Sequence, residues 1–292
     1  MALLAVLWIM ALLGVLATGY VFSVRTETAL THNWLDSARA RAAAEAGVML
    51  AVLDRLGPSG MAAPADGSPR AAEFEGVELR ISVLDETGRI DLNNASADLL
   101  DGLFMSQGLA DDERAALVDA ILDWRDADDL RRLNGAEDAD YAAAGLDYGA
   151  KDGPFEAVEE LARVMGMTPA LYEKVEGALT VYSGAAGINP RVAPREALLA
   201  LPGMSEQTVD AYLDQRQGAM IDGSDAVLEA SPQYVVNRQG KTFSIEVEAR
   251  LASGALERLA AVVRLAPSGS RPFTVLAWRE AARPHMLAGE HG

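Results

Sequence analysis

Residues 1–24 read MALLAVLWIMALLGVLATGYVFSV, a run without a charge in which Thr18 and Ser23 are nearly the only polar side chains. As a helix it reaches roughly 36 Å, enough to cross a hydrocarbon layer about 30 Å thick. No breaker follows it. The next proline is Pro58, and Arg25 to Arg55 is rich in Ala, Leu, Glu and Arg, all strong helix formers. The pattern predicts one helix of about 55 residues, with 1–24 as a transmembrane part and 25–56 as its extramembrane continuation. A cleaved secretory signal does not fit: the basic n-region is missing, the apolar run is too long, and helical sequence continues past Thr26.

In the second half of this helix Leu30, Trp34, Ala38, Ala42, Gly47 or Val48, and Val52 fall roughly on an i, i+4 track, with most charges elsewhere. Such a stripe needs cover. Only the downstream chain can supply it. A count of Arg25, Arg39 and Arg41 alone would put the C-terminal side in the cytoplasm.

The 292 residues carry 43 acids against 25 bases, a net charge of −18, and half of them are hydrophobic. That describes a folded chain with an acidic surface, poorly suited to nucleic acid and better suited to divalent cations or basic proteins. With no Cys there is no disulfide or thiolate site, and His32, His285 and His291 read as surface residues.

After a loop of Pro, Gly, Ala, Ser and Asp over 57–70, Val77 to Leu84 alternates as a strand. Asp85-Glu86-Thr87-Gly88 is turn chemistry, and Arg89 to Leu92 reads as the strand returning beside it. Helical patterns fill 97–104, 111–125, 157–165, 168–178, 194–200 and 206–215; alternation returns at 243–250, and 259–265 and 273–278 follow as strands set off by Ser253-Gly254 and Pro267-Ser-Gly269. The expected fold is α+β. A long N-terminal helix lies on an antiparallel sheet, with 57–93 and 233–280 supplying strands, an all-helical domain over 94–232 inserted between them, and 281–292 as a tail.

Two constellations stand out. Asp123, Asp126, Asp128, Asp129, Glu137, Asp138 and Asp140 place seven carboxylates within nineteen residues. Like charges this dense need solvent, arginines or a cation, and oxygen ligands in a loop suit Ca²⁺, although the spacing is not an EF-hand. The bland alternative is a solvated loop paired to Arg125, Arg131 and Arg132. The second is a helix, Leu201-Pro-Gly-Met204, helix unit, loosely copied around Gly108. It is similar to the helix-hairpin-helix of DNA-binding proteins, but Asp111, Asp112, Glu113, Glu206 and Asp210 would repel phosphate, so a packing module is expected. No catalytic triad, zinc spacing or phosphate loop occurs, and no enzyme is expected.

The ordered set Met1-Ala-Leu-Leu-Ala-Val-Leu-Trp8, Arg25-Thr-Glu-Thr28, Leu35-Asp-Ser-Ala-Arg-Ala-Arg41, Ala44-Glu-Ala-Gly47, Gly88-Arg-Ile-Asp-Leu-Asn93, Asp123-Trp-Arg-Asp-Ala-Asp-Asp129, Gly135-Ala-Glu-Asp-Ala-Asp-Tyr141 and Ile188-Asn-Pro190 resembles the protein K family of the general (type II) secretion pathway. The resemblance implies a large minor pseudopilin with a pilin-like fold. Such a protein is a single-pass subunit of the inner membrane with its bulk in the periplasm, which also settles the orientation. Its implied partners are the minor pseudopilins named I and J and, through them, the major pseudopilin, in a complex at the tip of a pseudopilus that exports folded proteins. It also implies calcium, with Asp126, Asp128, Glu137 and Asp138 as first-choice ligands and Asp123, Asp129 and Asp140 behind them. Prepilin peptidase would cut before Met1 and methylate its amine. Ala5 stands where ordinary pilins carry Glu, which fits a subunit with no neighbour above it, since a carboxylate in lipid persists only with a partner. Leu30, Trp34, Ala38, Val48 and Val52 are the expected partner-helix contacts. The competing reading is a membrane-tethered DNA receptor of the competence type; a hydrolase built on the acidic cluster is a distant third.

Overall fold

The computed structural model describes residues 2–57, 63–222, 226–266 and 271–280; some side chains of the first helix, Ala5 among them, lie outside the described set, as does Met1. The chain begins with helix α1 (Ala2–Leu56), followed by strands β1 (Arg70–Phe74), β2 (Val77–Asp85) and β3 (Ile90–Asp91). Helices α2 (Ala97–Ser106), α3 (Asp111–Arg125), α4 (Asp138–Ala143) and α5 (Pro169–Val175) come next, then β4 (Leu179–Thr180), α6 (Arg195–Leu199) and α7 (Glu206–Asp222). Strands β5 (Thr242–Arg250), β6 (Leu256–Leu265) and β7 (Phe273–Glu280) close the chain.

α1 is the single long helix that the absence of breakers predicts. Its period shows in what it buries: Ala40, Ala43, Ala44, Val48, Ala51 and Val52 face the sheet and are nearly inaccessible. All but Ala40 meet Leu79, Val83, Phe243, Ile245, Val247, Leu259 and Val263 in one core. Val48 and Val52 are therefore not partner contacts. Each buried valine contributes about 1.5–3 kcal/mol, and turning it to a neighbour would forfeit that. Towards the N-terminus the same helix is uncovered, with Leu3, Leu4, Leu7, Trp8, Met10 and Leu13 each more than half exposed. Among the described residues no helix is long and apolar enough to cross a membrane. The expected span over 1–24 rests in part on side chains outside the described ones.

The sheet runs β1-β2-β5-β6-β7, antiparallel throughout, with α1 on one face. β2 pairs with β5 from Glu78↔Arg250 to Asp85↔Phe243, so residues 86–241 lie between two neighbouring strands. The expected hairpin does not form. Asp85 caps a tight turn by accepting bonds from Thr87 N at 2.9 Å and Thr87 Oγ1 at 2.8 Å, and the chain leaves the sheet there. Ile90 and Asp91 pair instead in parallel with Leu179 and Thr180, so the segment between β2 and β5 is not wholly helical. The neighbour of β2 on its outer side is β1, in a stretch that begins at the end of the expected loop.

A second core, centred on Leu99, Leu103, Phe104, Ile121, Trp124 and Leu198, holds the helices of this segment together. α2 and α6 approach so closely that a Cβ on Gly102 would overlap the backbone oxygen of Ala200. An alanine in a helix interior ordinarily gains about 0.8–1.0 kcal/mol over glycine. Here overpacking, typically 1–3 kcal/mol, opposes and exceeds that gain. Gly102→Ala is expected to lower the urea midpoint at an unchanged slope, and a raised midpoint would show that the helices have room to part.

Candidate functional site

The acidic residues lie at the C-terminus of α3, in the loop behind it and at the start of α4. α3 ends at Arg125 because that side chain folds back, donating to Leu92 O and, at 2.8 Å, to Ala95 O. Burial and the nearby Arg132 lower its pKa against the attraction of Asp91 and Asp126, and its hydrogen bonds go to backbone oxygens instead of bracing the acids. Arg132 takes that role: its Nη1 donates to Asp123 Oδ1 at 2.6 Å and to Asp126 Oδ2. Asp123 is fully buried and also accepts the Arg132 amide at 3.2 Å. Arg131 pairs with Asp140 at 2.9 Å, and Asp140 accepts the Glu137 amide at 3.1 Å, capping α4. Asp128 accepts Leu130 N at 3.0 Å and fixes a local turn. Asp123, Asp140 and Asp128 thus already hold the loop in shape.

The rest of the cluster is under-satisfied. Asp126 Oδ1, Glu137 Oε1 and Asp152 Oδ1 are buried and accept no hydrogen bond. Glu137 is only 7% exposed, yet one of its oxygens has no donor. Burial, then repulsion from Asp123, Asp152, Asp126 and Asp129, pushes its carboxyl up to about 7. Asp152 is raised as well, by burial and by Asp129, Asp138 and Asp126. Its backbone sits at φ 53°, a conformation costly to a residue other than glycine. Among the described residues no group of three or more His, Cys, Asp or Glu side chains stands close enough to hold a metal ion as placed. The donor set still suits one, since orphaned, mutually repelling carboxylate oxygens are what a hard cation would satisfy. Asp126 and Glu137 are the expected ligands that carry the orphans, with Asp129 and Asp138 beside them. Asp152 was missed because it lies outside both acidic runs; the one signal is the turn Lys151-Asp-Gly-Pro154.

Beneath the cluster an aromatic group supports it. Trp124 lies 5.9 Å from Tyr141 and 6.2 Å from Phe155, and Tyr141 lies 5.8 Å from Tyr148, measured between ring centres. Both helix-turn-helix pairs form, with Gly108 and Gly203 at positive φ in their turns, and the helices that follow open on Asp111, Asp112 and Glu113 and on Glu206.

α1 carries a second candidate feature. Leu30 and Trp34, 53% and 78% exposed, precede the first buried position, and Ala38 is exposed as well. Away from the sheet an apolar strip runs through Leu35, Ala38, Ala42, Leu50 and Leu53 at helical spacing, all of it exposed. Leu50 and Leu53 did not figure in the sequence expectation, which continued the contact from Leu30, Trp34 and Ala38 through Val48 and Val52.

This arrangement defines a class of protein, one long N-terminal helix laid on an antiparallel sheet with a helix-rich segment between two strands. Residues 81–184 match the family described as Type II secretion system (T2SS), protein K. A chain of the crystal structure of the GspK-GspI-GspJ complex from the enterotoxigenic Escherichia coli type 2 secretion system has the same fold, with a TM-score of 0.59 at 15% identity. The likeness covers 89% of this chain and 99% of that one. No curated protein matches the sequence. The family match lies within the segment from the second half of β2 to just past β4, and the structural likeness shows a shared fold.

The titration of Glu137 has a defined sign. A carboxyl whose folded pKa lies above its ordinary 4.5 stabilises the fold while protonated, and that contribution is lost as pH rises through about 7. Asp85 and Asp152 act in the same direction. Asp140, Glu160, Asp210 and Glu248, held low by their partners, lose their contribution only as pH falls below the ordinary carboxylate range. With divalent cations chelated, the melting temperature is expected to fall from about pH 5 to about pH 7.5, and Glu137→Gln to flatten that fall. A variant that melts lower than the parent at the upper pH would refute the assignment.

Proposed function

We propose that this chain is a minor pseudopilin of the type II secretion system that sits at the tip of the periplasmic pseudopilus and starts or caps its assembly. The observation that carries this reading is α1. One uninterrupted helix forms the core of the chain's own sheet at one end and presents an uncharged, uncovered apolar surface at the other. Burying that surface requires lipid or other helices, because an exposed apolar area of this size marks a contact in use. In this reading the N-terminal part anchors the chain in the inner membrane, and the residues from 26 onward lie in the periplasm. The strip through Leu35, Ala38, Ala42, Leu50 and Leu53 receives the helices of other minor pseudopilins, for which the complex of the structural neighbour is the precedent. The helix-rich segment acts as an inserted domain too bulky to allow another subunit above it.

The acidic cluster binds calcium in this reading. Asp126, Glu137 and Asp152 are the side chains with oxygens to give, Asp128, Asp129 and Asp138 stand within the same group, and Asp123 and Asp140 hold the loop through Arg132 and Arg131. A bound divalent cation would offset the repulsion now concentrated on Glu137 and tie the end of α3 to the loops at 137 and 152.

Two measurements test these readings. Calcium is expected to stabilise the protein at neutral pH where magnesium does not, by about 2.7 kcal/mol at a hundredfold excess over the dissociation constant, read as a rise in melting temperature. Glu137→Gln and Asp152→Asn should each reduce that response, and no response in the parent would sink the site. For assembly, co-expression with candidate minor pseudopilins should give a complex that survives purification. Leu53→Glu, at a position 64% exposed, is expected to leave folding intact and cut complex yield at least tenfold. Undiminished yield would remove this strip from the interface.

A further inference from the structure

The two hydrophobic cores share no residue: one lies between α1 and the sheet, the other inside the segment from 90 to 234. What links them at the points where the chain crosses is polar. The first crossing is the turn after β2 and the second is the approach to β5. Asp85, fully buried, accepts Gly240 N at 2.7 Å as well as the two bonds from Thr87, so one carboxylate holds both crossings together. Glu86, 1% exposed, accepts Thr180 Oγ1 from the helix-rich segment, Ser244 Oγ from β5 and Arg89 Nη1 at 3.1 Å. Arg89 Nη1 also donates to Ser244 Oγ at 3.2 Å. Backbone bonds brace the same place, with Asn189 N donating to Thr87 O at 2.7 Å and Val236 N to Ile188 O at 2.8 Å. Gly88 is packed so tightly that a Cβ would stand 2.7 Å from Val192 O.

We propose that the Asp85–Glu86 node is a rigid joint, which fixes the direction of the helix-rich segment relative to the sheet so that the two move as one body. An apolar interface tolerates sliding, because dispersion contacts are individually weak and non-directional. A joint of buried hydrogen bonds does not, since each bond fails when its donor is turned away and leaves a buried group unsatisfied. Glu86 carries the joint because, fully buried, it binds Thr180 of one body and Ser244 of the other at once. The exposed pair between Arg279 on β7 and Glu159 also spans the two bodies, but both partners face solvent, and such pairs hold geometry weakly. The joint gives the chain a way to pass a push along α1 into the helix-rich segment without loss of angle. It does not depend on which partners or cations the chain binds.

The chain has no native cysteine, so spin labels can be placed freely. Labels at Glu78→Cys on β2 and Glu173→Cys on α5, both exposed, report the distance between the two bodies by pulsed electron resonance. The parent is expected to give one narrow distance distribution. Glu86→Ala should broaden it at least twofold while amide exchange inside each core stays protected. It should also split the single melting transition into two. Glu159→Ala should leave the width unchanged. If Glu86→Ala does not fold, the milder Thr180→Val with Ser244→Ala removes only the two hydroxyl donors and is expected to broaden the distribution in the same direction. An unchanged width in a folded Glu86 variant, or in the folded double variant, would overturn the joint, as would broadening by Glu159→Ala equal to that from Glu86→Ala.

Discussion

Everything in this structure depends on how closely α1 lies on its sheet. The fully buried part of the contact face is made mostly of small residues, Ala40, Ala43, Ala44, Gly47 and Ala51, with Val48 and Val52 among them and Met49, Leu56 and Arg55 at its margin. A Cβ on Gly47 would come within 2.7 Å of Val247 Cγ1, so helix and β5 touch almost backbone to side chain. Small residues let the sheet surround the helix with its own larger side chains, Leu79, Ile245, Val247, Leu259 and Val263. The helix therefore enters the core as a smooth rod, and the apolar bulk comes from the strands. That leaves its opposite side free to carry leucines outward without weakening the fold.

The same helix thus serves two kinds of neighbour by angle and by height. Around its axis, one side is sealed by the sheet and the other is exposed through Leu35, Ala38, Ala42, Leu50 and Leu53. Along its axis, the first buried position among the described residues is Ala40, and the described side chains of the uncharged part below are exposed. The sheet in turn carries the helix-rich segment at the two crossings near Asp85 and Gly240, far in sequence from α1. A chain built this way has a rod at one end, a bulky acidic body at the other, and a sheet joining them.

Much of this was legible from local pattern. α3 begins at Asp111 and ends at Arg125 as read, because fifteen residues carry a clear helical period and an acidic first turn. The three closing strands followed from the alternation at 243–250 and from the breaks that set off the other two. What failed was long-range. Nothing local distinguishes Ile90-Asp91 as the return of a hairpin from Ile90-Asp91 as the partner of Leu179-Thr180, and the choice is made by Asp85 capping its turn. β1 escaped because Arg70-Ala-Ala-Glu-Phe74 has little strand character until β2 offers it a ladder. α4 escaped because Asp138-Ala-Asp-Tyr-Ala-Ala143 reads as an acidic loop until Asp140 caps it. In the cluster, sequence located the carboxylates and not their roles. Asp126 and Glu137 differ from Asp123 and Asp140 in each keeping a buried oxygen without a donor, and only the fold brought in Asp152. Val48 and Val52 show the limit of a helical stripe, which fixes a period and leaves open which arc of it the protein keeps for itself.

The central claim is that the side of α1 away from the sheet is where other pseudopilins bind, and a chain without cysteine allows a direct measurement. Single cysteines at Leu50 or Leu53, on the strip, and at Arg80, on the outer face of the sheet, would each be introduced into cells that assemble the secretion system. Thiol cross-linking would then be read by the mass of the product. The account predicts adducts with another pseudopilin from Leu50→Cys and Leu53→Cys and none from Arg80→Cys. Adducts from Arg80→Cys alone, or none from the strip while the protein is present and folded, would contradict it.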